Sequence, residues 1–160
     1  MRRHQGGRIV ERLTSTDAEL RQLRDRAEIA DLCTRYAYAL DRKDWVAVAE
    51  TFLDDAVFEH PGGRLRGAEA IVHRARTALE RLDATQHLIG SITVAVDGDS
   101  ARARCYFHAQ HVRAGTPGGD LYTIAGSYAD RLVRTTAGWR IAERLQEYSW
   151  RSGNRQVVSG

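Results

Sequence analysis

The sequence contains few of the residues on which disulfide-rich domains, zinc sites and Schiff-base enzymes depend. Its only cysteines, Cys33 and Cys105, are too few for a disulfide framework and have no metal-ligand spacing, so we expect two buried thiols. Its only lysine, Lys43, lies in a charged turn where the amine is expected to be solvated. A disulfide scaffold, a cysteine-based zinc site and lysine-based covalent catalysis are therefore all disfavoured.

Long apolar runs and long runs of like charge are also missing. No stretch approaches the roughly 18 apolar residues of a membrane-spanning helix, and the N-terminal residues lack the apolar segment of a secretory signal. The net charge of +3 is scattered along the chain, without a basic block and without aromatic residues interleaved with arginine. We therefore expect a cytoplasmic protein that binds neither membranes nor nucleic acid.

Hydrophobic periodicity places helices mainly in the first half of the chain and strands in the second. Apolar residues at helical spacing between positions 20 and 40 predict a long helix that Thr16 or Asp17 caps and that ends near Asp41. β-Branched residues and turn signals then predict antiparallel strands. The remaining predicted elements are helices at 45–53 and 68–82 and strands at 56–60, 85–96, 101–112, 121–134 and 139–150.

This order of elements predicts one α+β domain over residues 17–151, with the helices packed on one face of a curved sheet. The segments on either side, 1–16 and 152–160, are polar and are expected to be flexible. Apolar residues expected at the surface, Trp150 and the pair at 157–158, indicate an interface with another copy of the chain.

A carboxylate at the end of the first predicted helix is the first candidate for chemistry. Asp41 closes the apolar face of that helix within the stretch 36–45, so its side chain is placed to meet a buried partner. The best partner is His87, because an aspartate that orients a histidine makes it a general base near neutral pH. The alternative is that Asp41 is a solvated turn residue and His87 a hydrogen-bonded residue of the core.

Strand alternation separates inward-facing from outward-facing histidines. In the strand at 101–112, the odd positions are small and apolar up to His111, which predicts that His111 points inward and His108 outward. Around His87 both strand faces could be covered, or a bulge could shift the register, so alternation leaves its direction open. No histidine spacing typical of a zinc site occurs, and no metal is expected.

Four short motifs together resemble a known family. They are Tyr-Ala-x-x-Leu-Asp-Arg-Lys-Asp-Trp at 36–45, Thr-Gln-His-Leu-Ile-Gly at 85–90, Gly-x-Tyr-x-Asp at 126–130 and Gly-Trp-Arg-Ile-Ala at 138–142. Over residues 20–150 the chain resembles the SnoaL-like branch of the nuclear transport factor 2-like superfamily, and within it the scytalone dehydratases and bile-acid 7α-dehydratases. The resemblance implies a cone-shaped, curved, mixed sheet with about three helices on its concave face, a deep apolar pocket and a homotrimer or homodimer.

The resemblance also implies roles for individual residues. It makes Asp41 and His87 a catalytic dyad, with His87 facing inward. It places His111 at the second histidine of the pocket and Ser127 at a pocket serine. Tyr36, about one helical turn before the dyad aspartate, resembles a tyrosine of the bile-acid dehydratases that could supply a hydroxyl group.

Three departures from the scytalone dehydratases indicate a different substrate. Leu40 and His60 stand where those enzymes have tyrosines, and Ala129 stands where they have an asparagine. We expect Leu40 and His60 to contact the substrate, together with the aromatic side chains of Phe58 and Phe107.

These residues predict a lyase of the dehydratase type that needs no cofactor and acts on a small apolar or polycyclic metabolite. His87 would remove a proton beside an activating carbonyl group while Asp41 stabilises the imidazolium. His111, His60 or Tyr36 would bind the developing oxyanion or protonate the departing hydroxyl group. Two alternatives remain: an isomerase or polyketide cyclase with the same dyad, and a non-catalytic binding module whose aspartate and histidine do not touch or whose cavity is filled.

Overall fold

The computed structural model describes residues 5–159, with side chains from residue 16 onward, and residues 1–4 of the predicted flexible N-terminus lie outside it. The described chain forms three α-helices, six β-strands and a short 3₁₀ helix. The helices are α1 (Gln5–Arg42), α2 (Trp45–Ala49) and α3 (Ala68–Leu79), and the 3₁₀ helix is Arg155–Val157. The strands are β1 (Phe52–His60), β2 (Gly63–Arg66), β3 (Ala84–Asp97), β4 (Ser100–Val112), β5 (Leu121–Thr135) and β6 (Gly138–Gly153).

The six strands form one sheet in the order β2-β1-β6-β5-β4-β3. The pairing of β1 with β6 is parallel and the other pairings are antiparallel, so the sheet is mixed. The helices pack on one face of this curved sheet, because that face carries the apolar side chains of alternating strand positions. The predicted single α+β domain with helices on a curved mixed sheet is confirmed. No helix within residues 5–159 combines the length and the apolar character needed to cross a membrane.

Several predicted boundaries differ from the observed ones. Helix α1 begins at Gln5, so Thr16 and Asp17 lie inside the helix rather than at its cap. Helix α2 ends at Ala49, before the predicted end at position 53, because a turn follows it and β1 begins at Phe52. Strand β2 was not predicted from the sequence. Its four residues are mostly exposed and include two arginines, so they lack the alternation of apolar and polar residues that indicates a strand.

A bulge in β3 explains why alternation left the direction of His87 open. The register between β3 and β4 shifts between Gly90 and Thr93, and Ser91 in the bulge has a positive φ of 52°. Before the bulge His87 and Ile89 are the more buried residues, and after it the inner face passes to even-numbered positions. The bulge therefore turns both halves of the strand toward the same core.

The turn between α1 and α2 is attached to the end of α3. Lys43 has a positive φ of 55°, and its Nζ donates hydrogen bonds of 2.8 Å to the carbonyl oxygens of Glu80 and Leu82. The prediction of a solvated lysine is thus wrong, because the ammonium group satisfies carbonyl groups at the C-terminal end of α3. Asp44 caps α2 by accepting a hydrogen bond from the backbone N–H of Ala47.

Residues 154–157, within the segment 152–160 that was expected to be flexible, pack against the domain. The Asn154 side chain donates hydrogen bonds of 2.9 and 2.7 Å to the carbonyl oxygens of Pro117 and Gly119. Val157 is fully buried, so its predicted surface position is wrong, whereas Trp150 is half exposed. Burial of Val157 stabilises the segment by removing its side chain from water. The expected homo-oligomer stays a prediction.

Candidate functional site

The helices and the inner face of the sheet enclose a cavity of about 590 Å³. This volume lies within the range of pockets that bind small molecules, and the lining combines apolar and aromatic side chains with polar and basic ones. Seven of the nine residues predicted for the site line the cavity: Tyr36, Leu40, Phe58, His60, His87, Phe107 and His111. Asp41 lies behind the ring of His87, and Ser127 lies elsewhere.

The structure brings Asp41 and His87 into direct contact. Oδ1 of Asp41 lies 2.6 Å from Nδ1 of His87, and its Oδ2 accepts a 2.9 Å hydrogen bond from the backbone N–H of His87. The hydroxyl group of Thr85 donates a further bond of 2.9 Å to Oδ1. These three contacts join the end of α1 to the start of β3 and fix the orientation of the imidazole ring.

The surroundings of Asp41 keep its carboxyl group ionised. Burial raises its pKa, but the hydrogen bonds from the side chain and backbone of His87, the charge of His87 and the bond from Thr85 together hold the pKa below its ordinary value. The hydrogen-bond network therefore assigns a proton to Nδ1 of His87. Nε2 has no hydrogen-bond partner among the described residues, so its lone pair is available to a molecule in the cavity.

His111 is a second, buried histidine of the cavity. Its Nδ1–H donates a 3.1 Å hydrogen bond to the carbonyl oxygen of Tyr122, and its ring centre lies 6.0 Å from that of His87. Burial and the neighbouring His87 lower the pKa of His111 to about 4, which keeps the ring neutral at physiological pH. Nε2 of His111 is thus a hydrogen-bond acceptor. The catalytic role expected for His111 stays a prediction.

His60 carries its ring proton on the other nitrogen than His111 does. Its Nδ1 accepts a 3.0 Å hydrogen bond from the backbone N–H of Gly62, which assigns the ring proton to Nε2. Burial and the charge of Arg74 lower the pKa of His60, so this ring also favours its neutral form. The cavity therefore holds one neutral histidine that accepts a hydrogen bond and one that donates.

Tyr36 belongs to a sealed cluster under the cavity. The guanidinium group of Arg144 lies 4.3 Å from the ring centre of Tyr36 and 4.2 Å from that of Tyr128. Arg144 donates two hydrogen bonds, of 2.8 and 2.7 Å, to the carboxylate of Asp130. Burial raises the pKa of both tyrosines, so each keeps its hydroxyl proton. Both tyrosines line the cavity.

Strand alternation shows which residues of β5 were assigned wrongly. Ser127 does not line the cavity, because it pairs with Tyr106 and Glu147 on the outer face of the sheet. Tyr128 and Asp130 are the inward residues, one position away, and a shift of one residue exchanges the two faces of a strand. Both are even-numbered residues of the motif at 126–130, and this shared parity could have identified them as inward-facing from the sequence.

The described residues contain no group of three or more His, Cys, Asp or Glu side chains arranged to hold a metal ion. His108 is directed to the outer face of the sheet, where its ring lies 5.5 Å from that of Trp150. Cys33 and Cys105 are buried free thiols. The histidines and tyrosines described above are thus among the polar groups that line the cavity.

Similar sequences and structures exist among known proteins. The SnoaL-like domain family matches residues 21–145. Terrestric acid biosynthesis cluster protein E from Penicillium crustosum is 30% identical over 141 residues, which cover 84% of this chain and 90% of that protein. An NTF2-like protein with a cystatin-like fold from Novosphingobium aromaticivorans is 30% identical, with a TM-score of 0.74 over 91% of this chain and 94% of that one. A type 2 hexachlorocyclohexane dehydrochlorinase (LinA) shares the fold, with a TM-score of 0.75 over 85% and 93% of the two chains at 20% identity.

Proposed function

We propose that this chain, which belongs to the SnoaL-like domain family, is a cofactor-independent lyase that eliminates water or a comparable group from a small apolar or polycyclic metabolite. The observation that carries the proposal is the 2.6 Å contact between Asp41 and His87 at the wall of an open cavity. A non-catalytic module is expected to lack such a contact or to fill its cavity with side chains. Both features of this site therefore favour an enzyme.

Proton removal is the first step of the proposed reaction. Nε2 of His87 takes a proton from the carbon beside a carbonyl group, and the electron pair of that C–H bond moves toward the carbonyl oxygen. Asp41 stays ionised and accepts the Nδ1–H bond, so it stabilises the imidazolium ion that forms. A positioned base of this kind accelerates a reaction by roughly 10²–10⁴-fold.

Hydrogen-bond donors stabilise the negative charge that develops on the carbonyl oxygen. The Nε2–H of His60 and the hydroxyl group of Tyr36 are donors on residues that line the cavity. Fixed donors of this kind stabilise charge in the transition state without reorganising. Nε2 of His111 is an acceptor, so we assign it to the hydroxyl group of the substrate before that group leaves.

Departure of the leaving group completes the elimination. The electron pair forms a carbon–carbon double bond as the carbon–oxygen bond breaks, and the departing hydroxide takes a proton and becomes water. His111 favours its neutral form near pH 7, because burial and the neighbouring His87 lower its pKa to about 4, so we assign that proton to another group. The imidazolium of His87 is the acid that the first step provides, so both proton transfers take place on the same face of the substrate.

An isomerase or cyclase is the second candidate, and the neutral state of His111 favours it equally. When a single histidine takes the proton, the same histidine can return it to another carbon of the enolate. The enolate can also attack within the substrate and close a ring. Neither reaction changes the mass of the substrate, whereas elimination of water lowers it.

Two relatives support a reaction on small metabolites. LinA is named for dehydrochlorination, an elimination from hexachlorocyclohexane, and the Penicillium relative is named for terrestric acid biosynthesis. Neither name identifies the substrate of this chain. They favour eliminations and metabolite chemistry as the classes to examine.

The proposal is tested by incubating the protein with fractionated metabolite extracts and following the masses of their components. We expect one component to lose the mass of one water molecule. In the His87→Ala variant that turnover should fall by about 10²–10⁴-fold. His73→Ala, an exposed residue of α3, is the matched control and should leave turnover unchanged. Full turnover by His87→Ala would refute the proposal, and conversion without loss of mass would favour the isomerase.

A further inference from the structure

Four arginines surround the mouth of the cavity. They come from two parts of the chain: Arg74 and Arg81 lie on α3 and just after it, whereas Arg151 lies near the end of β6 and Arg155 begins the 3₁₀ helix. All four are exposed, while the dyad histidine at the inner end of the cavity has only 7% of its side chain exposed. The cavity thus joins a buried reaction centre to a cationic mouth. We refer to these four residues as the arginine rim.

The charges of the arginine rim are not neutralised by the protein. Among the described residues, none of the four forms an ion pair, and no aspartate or glutamate lines the cavity. Arg131, by contrast, pairs with Glu143 at 2.7 Å. Positive charges gathered at the mouth of a low-dielectric cleft attract anions into it.

Two members of the arginine rim are held in place by uncharged partners. Arg81 donates a 3.2 Å hydrogen bond to the carbonyl oxygen of Val158, and the guanidinium group of Arg151 lies 4.5 Å from the ring centre of Tyr148. These contacts restrict the side chains and leave the positive charges unpaired. Guanidinium groups present planar pairs of N–H donors that match the oxygen atoms of carboxylates and phosphates.

We propose that the substrate carries an oxyanionic group, a carboxylate or a phosphate, at the end remote from the reacting carbon, and that the arginine rim binds it. The binding position of the oxyanionic group is inferred from the arginine rim itself. The position of the reacting carbon depends on the proposed lyase function. An apolar body in the cavity then lies between the anion at the mouth and the base of His87. The substrate class narrows from apolar metabolites to apolar metabolites with an acidic end.

Binding of three simple aromatic probes tests this inference without any turnover. The probes are 2-naphthoate, 2-naphthyl phosphate and the neutral 2-naphthamide, measured by titration calorimetry at low salt. We expect at least one anion to bind about tenfold more tightly than the amide, because charge-assisted contacts add to the shared apolar contact. The anion that binds more tightly identifies carboxylate or phosphate as the preferred group.

Two double variants test whether the arginine rim causes the tighter binding of the anion. Arg151→Gln/Arg155→Gln should weaken binding of the preferred anion about tenfold and leave binding of the amide unchanged. Arg102→Gln/Arg104→Gln removes the same charge from exposed positions of β4 outside the cavity, and should change the affinity less than twofold. Anions that bind no better than the amide, or equal losses in the two double variants, overturn the inference.

The same titrations separate this inference from the proposed reaction. The probes have no group to eliminate, so His87→Ala should retain the preference for the anion. Failure of the lyase proposal would leave that preference intact. Loss of the preference in a protein that still eliminates water would overturn the arginine rim alone.

Discussion

Asp41 and Asp130 each hold a basic partner, and the two pairs differ in what can reach them. The Asp41 and His87 side chains are 20% and 7% exposed, and His87 presents a free nitrogen to the cavity. The Asp130 and Arg144 side chains are 1% and 0% exposed and are covered by aromatic rings. The first pair is open to the cavity and is the proposed site of proton transfer, whereas the second pair is enclosed by the core.

Burial also affects how strongly each pair favours its ionised state. Burial lowers the pKa of Arg144, but the charge and hydrogen bonds of Asp130 raise it well above its ordinary value. A sealed ion pair of this kind stays ionised and holds Tyr36 and Tyr128 in position beneath the cavity. The open pair has a protonatable nitrogen in reach of a ligand. The comparison predicts that removing the sealed pair damages the fold and that perturbing the open region alters its response to protons.

Breaking the sealed pair should have the largest effect on stability. Arg144→Met leaves the Asp130 carboxylate buried and unpaired, which should lower the free energy of unfolding by about 3–5 kcal/mol in denaturant titrations. The control Arg131→Met breaks an exposed pair with Glu143 and should cost less than about 1 kcal/mol. The double variant Asp130→Leu/Arg144→Met should recover much of the loss. Equal losses in the sealed and exposed pairs would contradict the structural role.

Acid should destabilise the open region through His111. Its folded pKa of about 4 lies below the ordinary value of 6.5, so between these values the unfolded chain binds a proton that the folded chain does not. Stability is then full above pH 6.5 and falls as the pH drops toward 4, by about 3 kcal/mol in total. The lowered pKa of Asp41 acts at lower pH, because its contribution is lost only below about 3.8.

The variant His111→Asn checks this origin, since the amide can still donate to the carbonyl oxygen of Tyr122 but has no proton to gain. Unfolding measured from pH 7 to pH 4 should lose most of its slope in this variant. Gln110→Asn, a neutral change at the adjacent position, should keep the slope. A slope that persists in His111→Asn would assign the acid sensitivity to other groups.

The smallest effect is expected from the hydroxyl group behind the dyad. Thr85→Val removes the 2.9 Å bond to Asp41 and leaves its contacts with His87, so we expect a loss of about 1 kcal/mol in stability and a fall in turnover of less than about tenfold. Thr93→Val, an exposed change on the same strand after the bulge, is the control. A loss of turnover as large as that of His87→Ala would mean that Thr85 has a direct role in the chemistry.

The fold and part of the site could be predicted because they depend on short-range patterns. The apolar stripe that ends at Asp41 and the alternation that ends at His111 both follow from local periodicity. The direction of His87 required the bulge at Ser91, which depends on pairing with β4. Apolar and polar residues are mixed along β5, so strand alternation did not show that Ser127 faces away from the cavity, although the neighbouring even-numbered residues are buried.

Residues that act through distant partners could not be predicted. Arg144 resembles any surface arginine in sequence, and its burial depends on Asp130 from the neighbouring strand and on the ring of Tyr36 from α1. The arginine rim likewise joins Arg74 and Arg81, on and just after α3, with Arg151 of β6 and with Arg155, which lies in the segment expected to be flexible. Such clusters arise from the tertiary fold, so no single window of the sequence contains them.

The chain contains a single lysine as a target for amine-reactive reagents, and the ammonium group of that lysine already forms hydrogen bonds. The ammonium group of Lys43 donates to two carbonyl oxygens at the end of α3, and acylation would remove both its charge and those hydrogen bonds. The side chain therefore reacts more readily when the corner between α1 and α2 separates from α3. The rate of acylation at Lys43 measures how often that corner opens, and a dye attached there would mark the opened form of the protein.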